Sequence, residues 1–198
     1  MSSLNDDFKE LLERIRHGRE LGHASFEPIY YLVFSPSKIL DVKRQMPAWT
    51  AKLKNEGWNV LIFSIAEHIA QILENAPLRK IWLTADSKNP THWEKTNQSL
   101  ANTLSNGSLQ KALEQKLGEL DNQLDNQLNN QEKSILLVTD LEALHPYMRI
   151  GAIEGNLQGK FNSPTVFFYP GERTGKTKLK FLGFYPDDGN YRSVHVGG

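Results

Sequence analysis

The chain has 198 residues, of which 39% are hydrophobic and 23% charged, and its 23 basic residues balance its 23 acidic ones. This length and composition predict one soluble globular domain with a sizeable core, and they exclude global disorder and a surface that is basic throughout. The absence of cysteine excludes disulfides, thiol nucleophiles and thiolate metal sites, and it fits a reducing compartment, so we expect a cytoplasmic protein.

The first 22 residues predict an amphipathic helix that packs on the rest of the protein. Its apolar residues recur at helical spacing on one face: Leu4, Phe8, Leu11, Leu12 and Ile15. Acidic residues stand where a secretory signal would need an apolar core, so we expect no signal peptide. The later apolar runs are far shorter than the ~20 residues that cross a bilayer as a helix.

Five apolar runs predict the strands of a central sheet. They lie at residues 29–34, 60–65, 81–84, 135–139 and 164–169. Helical patterns at 35–55, with a break or kink at Pro47, and at 66–73 separate the first three runs. Strands that alternate with helices indicate right-handed crossovers. We therefore predict a single three-layer α/β domain over residues 1–198, with a mostly parallel sheet and helices on both faces.

Residues 100–131 predict a peripheral helix with an unusual end. Six leucines recur at intervals of three or four residues on one face: Leu109, Leu113, Leu117, Leu120, Leu124 and Leu128. The pattern ends in a tract rich in Asn and Gln, whose side chains compete with the helical backbone, so we expect fraying there. Such a stripe is typical of a helix that packs on its own core, and a leucine seam for a partner protein is the alternative.

The C-terminal residues 171–198 predict an antiparallel hairpin at one sheet edge, followed by a tail. Residues 178–185 and 191–196 are the two expected strands, and turn-forming residues separate them. Basic and aromatic residues alternate here, which suits contacts with phosphates and bases. The same alternation is what an edge strand with one solvated face requires. The edge strand is the favoured interpretation, and a DNA-binding accessory protein is an alternative.

One segment is similar to part of a phosphate-binding loop. Gly175, Lys176 and Thr177 match the end of the pattern G-x-x-x-x-G-K-[ST], whose amides and lysine bind phosphates. Pro170 stands where the pattern requires its first glycine, and a strand is predicted where a helix must begin. A surface turn is the favoured interpretation of residues 171–177. A nucleotide-binding, NTPase-like protein with a degenerate phosphate loop is the alternative.

Two acidic residues lie at or shortly after the ends of predicted strands. Asp86 comes after the run at 81–84, and Asp140 follows the run at 135–139. Open α/β sheets place ligands at the carboxyl ends of their strands, where such an acid holds magnesium in an NTPase. However, residues 64–67, 91–94 and 139–142 each have the spacing of a capping box, which explains such polar residues without chemistry. Helix capping is therefore the favoured interpretation.

The sequence contains no recognisable catalytic or metal motif. None of the six histidines forms a close metal-binding pair: His17, His23, His68, His92, His145 and His195. No serine lies in a G-x-S-x-G elbow. We accordingly predict no catalytic residue, no metal site and no cofactor.

Three stretches near the C-terminus resemble the signature of the BrxB family, which belongs to BREX bacteriophage-defence systems. They are residues 164–171 (PTVFFYPG), 182–183 (LG) and 188–193 (DGNYRS). Residues 28–36, 58–72 and 137–146 also fall in the order that the family leads us to expect.

The resemblance implies a small non-catalytic component of a multi-protein defence assembly. In that assembly it would work beside a DNA methyltransferase, a large ATPase and PglZ, an alkaline-phosphatase-like protein. PglZ is the implied direct partner, and nucleic acid would be contacted only through the complex. We expect Tyr191, Arg192 and His195 to contact a partner, because Tyr and Arg are enriched among binding hot spots. Structural roles in the tail are the alternative for these three residues.

Overall fold

A computed structural model describes residues 3–17, 27–125, 133–175, 177–189 and 193–198. The helices are α1 (Leu4–His17), α2 (Ile39–Asn55), α3 (Ile65–Glu74), α4 (Arg79–Lys88), α5 (Glu94–Leu104), α6 (Ser108–Asp125) and α7 (Ile150–Asn156). The strands are β1 (Ile29–Phe34), β2 (Trp58–Ser64), β3 (Lys133–Thr139), β4 (Thr165–Thr174), β5 (Lys178–Phe181), β6 (Asp187–Gly189) and β7 (Val194–Gly197). Short 3₁₀ turns occupy Pro36–Lys38 and Leu141–Leu144.

Five strands form a parallel sheet in the order β2-β3-β4-β1-β7. Parallel strands of one sheet need long crossover connections, and α2 lies in the one between β1 and β2. Helices α3 to α6 connect β2 to β3, and α7 connects β3 to β4. The predicted α/β fold with a mostly parallel sheet is confirmed.

The core is divided by the sheet into two apolar clusters. Alternate residues of β1 enter different clusters because successive side chains of a strand point to opposite faces. Tyr30 and Leu32 pack with α1 and α2, whereas Tyr31 and Val33 pack with α3, α5, α6 and α7. Both faces of the strand are covered, which explains its unbroken apolar sequence. Helices therefore flank the sheet on both sides, as predicted.

The predicted strand at residues 81–84 is wrong, because these residues lie in α4. Its apolar part is only three residues long, too short for periodicity to distinguish a strand from a helix. Trp82 is only 7% exposed, whereas Ile81 and Leu83 on either side are 62% and 57% exposed. The fifth parallel strand of the sheet is instead β7.

The C-terminal segment contains antiparallel strands, as predicted, but they extend the central strand β4 and their pairing differs from the prediction. β5 pairs with the far end of β4, where Gly171 lies opposite Phe181, and β6 pairs with β5. Residues 194–197 form β7, which is parallel to β1. The expected pairing of 178–185 with 191–196 is therefore wrong. The reason is that β4 continues past the parallel sheet and supplies the antiparallel partner itself.

The predicted peripheral helix at 100–131 is two helices, α5 and α6, separated at Gly107. Gly107 has a φ of +88°, which favours glycine and ends the run of helical backbone. Four of the striped leucines lie in the core: Leu109, Leu113, Leu117 and Leu120. For these four, packing on the protein's own core is confirmed over a partner-binding seam. The structure does not describe the side chain of Leu124. Leu128 and the other residues from 126 to 132 also lie outside the described residues.

Replacing Leu113 with alanine should lower the free energy of unfolding by about 2–5 kcal/mol, because removing this fully buried side chain leaves a cavity. The matched control is Leu40→Ala, since Leu40 is 63% exposed on α2 and should change stability by less than about 0.5 kcal/mol. Urea denaturation of both variants measures the difference. Equal effects of the two substitutions would contradict the packing of α6 against the sheet.

Candidate functional site

A network of polar side chains joins the carboxyl ends of β2 and β3. The Ser64 hydroxyl donates to Asp140 Oδ2 at 2.7 Å, and the Thr139 hydroxyl donates to the same oxygen at 2.9 Å. From α2, Lys43 Nζ contacts Asp140 Oδ1 and Glu142 Oε1, both at 2.8 Å. The parallel register places Ser64 opposite Thr139, so strand pairing brings these residues together. The network therefore ties α2 to the ends of two strands.

These contacts shift the pKa values of Asp140 and Lys43 in opposite directions. Burial raises the pKa of Asp140, but hydrogen bonds from Lys43, Ser64 and Thr139 outweigh it, and the net shift is downward. Hydrogen bonds to Asp140 and Glu142 raise the pKa of Lys43. Both groups are thereby held in their charged forms around neutral pH. A general acid or base works best with a pKa near the operating pH, so this pair is poorly suited to proton transfer.

Ser64 has its hydroxyl engaged in two structural hydrogen bonds. It donates to Asp140, and it accepts from the backbone N–H of Glu67 at 3.2 Å as the N-cap of α3. The nearby His68 is 2.8 Å from the backbone oxygen of Ser64 through Nδ1, and its ring stacks on Phe63 at 3.9 Å. An activated serine needs a base in contact with its hydroxyl, and His68 is bonded elsewhere. The contacts of Ser64 thus join the start of α3 to Asp140.

The capping interpretation holds for one of the three predicted boxes. Ser64 caps α3, as predicted. Asp140 makes no side-chain cap bond, because its backbone is left-handed at φ +60° and its carboxylate bonds to Ser64 and Lys43 instead. Helix α5 starts at Glu94 after Trp93, again without a side-chain cap. Asp86 lies exposed in α4, so its predicted position behind a strand is wrong.

The segment that resembles a phosphate-binding loop connects two antiparallel strands. Glu172 and Thr174 belong to β4, Gly175 has a φ of +68°, and β5 begins at Lys178. A phosphate loop needs a helix whose N-terminal amides face the phosphates, and a strand follows here. The predicted turn is confirmed for Gly175 and Thr177 only, because residues 171–174 continue β4, and the helix that a phosphate loop requires is replaced by β5. Lys176 itself lies outside the described residues.

The structure describes one of the three residues predicted to contact a partner, namely His195 in β7. Its side chain is 6% exposed, and its ring stands edge-on to Tyr31 with centroids 5.6 Å apart. Nε2 of His195 lies 2.9 Å from the Ser193 hydroxyl. Tyr191 and Arg192 lie outside the described residues. Partner contact by these three residues stays a prediction, and the burial of His195 favours the structural role for that residue.

Four of the described histidines, His17, His68, His145 and His195, each contact a different partner. His17 Nδ1 is 2.7 Å from the backbone oxygen of Glu13, and His145 Nδ1 is 2.5 Å from the Tyr185 hydroxyl. Over the part of the chain that the structure describes, no group of three or more His, Asp or Glu side chains could hold a metal ion. That part also includes no helix with the length and apolar content to cross a membrane.

Sequence reasoning missed an exposed apolar surface on α4, because it placed these residues in the sheet. Ile81 and Leu83 are exposed on either side of Trp82, and Leu78 just before the helix and Trp93 just before α5 are exposed as well. Trp82 is the buried residue of this helix, and its indole N–H donates to the Ser99 hydroxyl of α5 at 2.9 Å. Apolar side chains on an anchored helix are typical of a protein-binding surface. We call Leu78, Ile81, Leu83 and Trp93 the α4 surface.

Comparison with known proteins gives one family. A family model described as BREX protein BrxB matches residues 64–196 of the 198-residue chain. The chain belongs to the BrxB family. The BrxB match begins at the last residue of β2 and ends in β7, so it contains the α4 surface and follows α1, β1 and α2. Membership makes the chain a component of a BREX defence system that associates with other BREX components. No curated protein and no solved structure matches it.

Asp140→Asn should lower the free energy of unfolding at pH 7 by about 1–3 kcal/mol, because Lys43 loses one of its two charged partners. The depressed pKa of Asp140 means that its contribution is present above the unfolded value of about 4 and is lost as the pH falls through the lower folded value. The stability difference from the unsubstituted chain should therefore narrow as the pH falls below about 4.

Urea denaturation at several pH values measures this difference. The matched control is Asp41→Asn, since Asp41 pairs with Lys38 and Arg44 on the exposed surface of α2, and its loss should cost less than about 1 kcal/mol. An Asp140 variant as stable as the unsubstituted chain at pH 7 would show that the network contributes nothing.

Proposed function

We propose that the chain is a non-catalytic adaptor in a BREX assembly and that PglZ, the alkaline-phosphatase-like component, is its direct partner. The observation that carries this proposal is the α4 surface, which lies inside the residues matched by the BrxB family. We further propose the cytoplasm as its location, which fits the lack of cysteine.

The chemistry of the α4 surface suits a stable protein contact. Ile81, Leu83 and Trp93 expose apolar area to water, and burying such area is worth roughly 25 cal/mol per Å². Tryptophan and large aliphatic side chains are the usual anchors at the centre of an interface. The hydrogen bond between Trp82 and Ser99 holds α4 on α5, so little ordering of the helix would oppose binding.

The polar sites support an adaptor without catalysis. The hydroxyl of Ser64 is bonded on both sides, and the charges of Asp140 and Lys43 satisfy each other. The segment similar to a phosphate loop consists of the end of β4 and the turn into β5. These features give no group poised to attack a substrate or transfer a proton.

The C-terminal strands support indirect contact with nucleic acid. Lys180 lies opposite Glu172 on one side and Asp187 on the other. These acids offset the positive potential that a DNA backbone requires. Leu179 and Phe181 are buried, so this strand, which pairs with β4 and β6, alternates between a buried and a more exposed face.

Ile81→Asp should reduce the amount of PglZ that co-purifies with the tagged chain by at least about tenfold, because an unpaired charge would be buried in the interface. Leu40→Asp is the matched control, since Leu40 is 63% and Ile81 62% exposed, and Leu40 lies on α2 instead of α4. Thermal unfolding of both variants checks that each is folded.

Retention of PglZ by the Ile81 variant at the level of the Leu40 variant would contradict binding through α4. If the unsubstituted chain captured other BREX components but no PglZ, the adaptor role would stand and the choice of partner would be wrong. Capture of no BREX component would contradict the adaptor role itself.

A further inference from the structure

Basic residues lie among the apolar side chains of the α4 surface. Residues 78–95 contain four basic and two acidic residues, an excess of two positive charges in a chain whose formal net charge is zero. The four basic residues are all exposed: Arg79, Lys80, Lys88 and Lys95. The two acidic residues, Asp86 and Glu94, are exposed as well. The exposed apolar area is therefore bordered mainly by positive charge.

The helical spacing of α4 places basic side chains beside its exposed apolar ones. Arg79 and Lys80 precede Leu83 by four and three residues, and residues at these spacings are neighbours on a helix. Lys88 follows Ile81 by seven residues, which is about two turns along the same side of the helix. Basic and apolar residues are thus intermixed on α4 and do not form two opposite faces.

The four basic residues have no ionic partner in the part of the chain that the structure describes. No Asp or Glu of this part lies within ion-pair distance of their side-chain nitrogens. Other exposed cations do pair, as Arg16 does with Glu56 and Lys160 with Glu114. The cations around the α4 surface are therefore available to carboxylates of another molecule.

The arrangement suits a folded protein better than a membrane or a nucleic acid. A helix that lies in a membrane surface has one apolar face, and its basic residues lie on the opposite face. On α4, Ile81 and Leu83 instead flank the buried Trp82. A nucleic acid offers phosphates to the cations, but its backbone has no apolar surface that would cover the exposed side chains, and Asp86 and Glu94 would repel it.

We propose that the α4 surface receives an acidic surface of its protein partner, in which carboxylates border an apolar depression. This inference rests on the proposed function, in which α4 is the contact, and it names the chemistry of the surface that docks there. The apolar side chains of the α4 surface enter the depression, and the four basic residues around them pair with the partner's carboxylates. An apolar centre with a polar rim is the usual anatomy of a protein interface.

The charged and the apolar parts of such an interface affect different rates. Charges at the rim act mainly on the rate of association, because opposite charges steer the encounter of the two proteins. The apolar centre acts mainly on the rate of dissociation. Salt screens the steering, since the Debye length is about 10 Å at 0.1 M ionic strength. The two parts of the interface can therefore be tested separately.

The first test measures the association and dissociation rates of PglZ and the full chain by surface plasmon resonance. Raising the NaCl concentration from about 50 to about 500 mM should slow association by at least about tenfold and change dissociation by less than about threefold. At the lower salt concentration, Lys80→Glu combined with Lys88→Glu should slow association by at least about tenfold. Lys52→Glu combined with Lys54→Glu is the matched control, because both lysines are exposed on α2 and the net charge changes equally.

Ile81→Asn separates this inference from the proposed contact itself, because it removes an apolar anchor without adding charge. It should speed dissociation by at least about tenfold and leave the salt dependence of association unchanged. Unaltered kinetics of this variant would contradict α4 as the contact. Faster dissociation of this variant, together with equal association rates of the two double lysine variants, would overturn only the acidic character of the partner surface.

Two short peptides test the same chemistry without PglZ, so this result does not depend on the choice of partner. One is an amphipathic helix of leucine and glutamate, and its twin has lysine in place of every glutamate. The glutamate peptide should shift the backbone NMR signals of residues 78–95 at concentrations at least about tenfold lower than its twin. Equal shifts from both peptides, or none from the glutamate peptide up to about 5 mM, would overturn the proposal. Tighter binding of residues 78–95 to phosphatidylglycerol vesicles or to duplex DNA than to the glutamate peptide would overturn it as well.

Discussion

The pairing of β1 with β4 is the constraint on which the rest of the structure depends. The two strands run side by side from Ile29 opposite Thr165 to Phe34 opposite Pro170. All six residues of β1 are buried, and they alternate between the two apolar clusters. A slip of one residue would exchange the side chains of the two faces, so α1 and α2 on one side and α6 and α7 on the other fix the same register.

That register also positions the parts of the chain that surround the sheet. β4 continues beyond the parallel sheet and pairs with β5, and this antiparallel extension closes one side of a cavity lined by Tyr169 and Glu154. The network of Ser64, Asp140 and Lys43 holds the ends of β2 and β3 instead. The α4 surface lies on the connection between those two strands. The sheet is thus the scaffold, and the proposed contact surface lies on a helix that connects two of its strands.

The fold could be predicted wherever a strand is covered on both faces, because burial leaves an unbroken apolar run, as in β1 and β3. It could not be predicted at α4, where three consecutive apolar residues resemble a strand although two of them face water. The candidate site was harder to predict, because its residues are far apart in the sequence and come together only in the folded chain. Ser64 and Asp140 are 76 residues apart. The spacing of residues in the sequence indicated where strands end, but it did not indicate which strand ends lie next to each other in the fold.

The central claim is that α4 is the contact through which this BrxB-family protein joins its assembly. Hydrogen exchange of the full chain, with and without PglZ, measures that contact directly through the backbone amides of α4 and of the turn before α5. Our account predicts slower exchange in residues 79–93 when PglZ is added, with little change in α1 or α2. Unchanged exchange across 79–93 in a formed complex, with protection in another part of the chain, would contradict it.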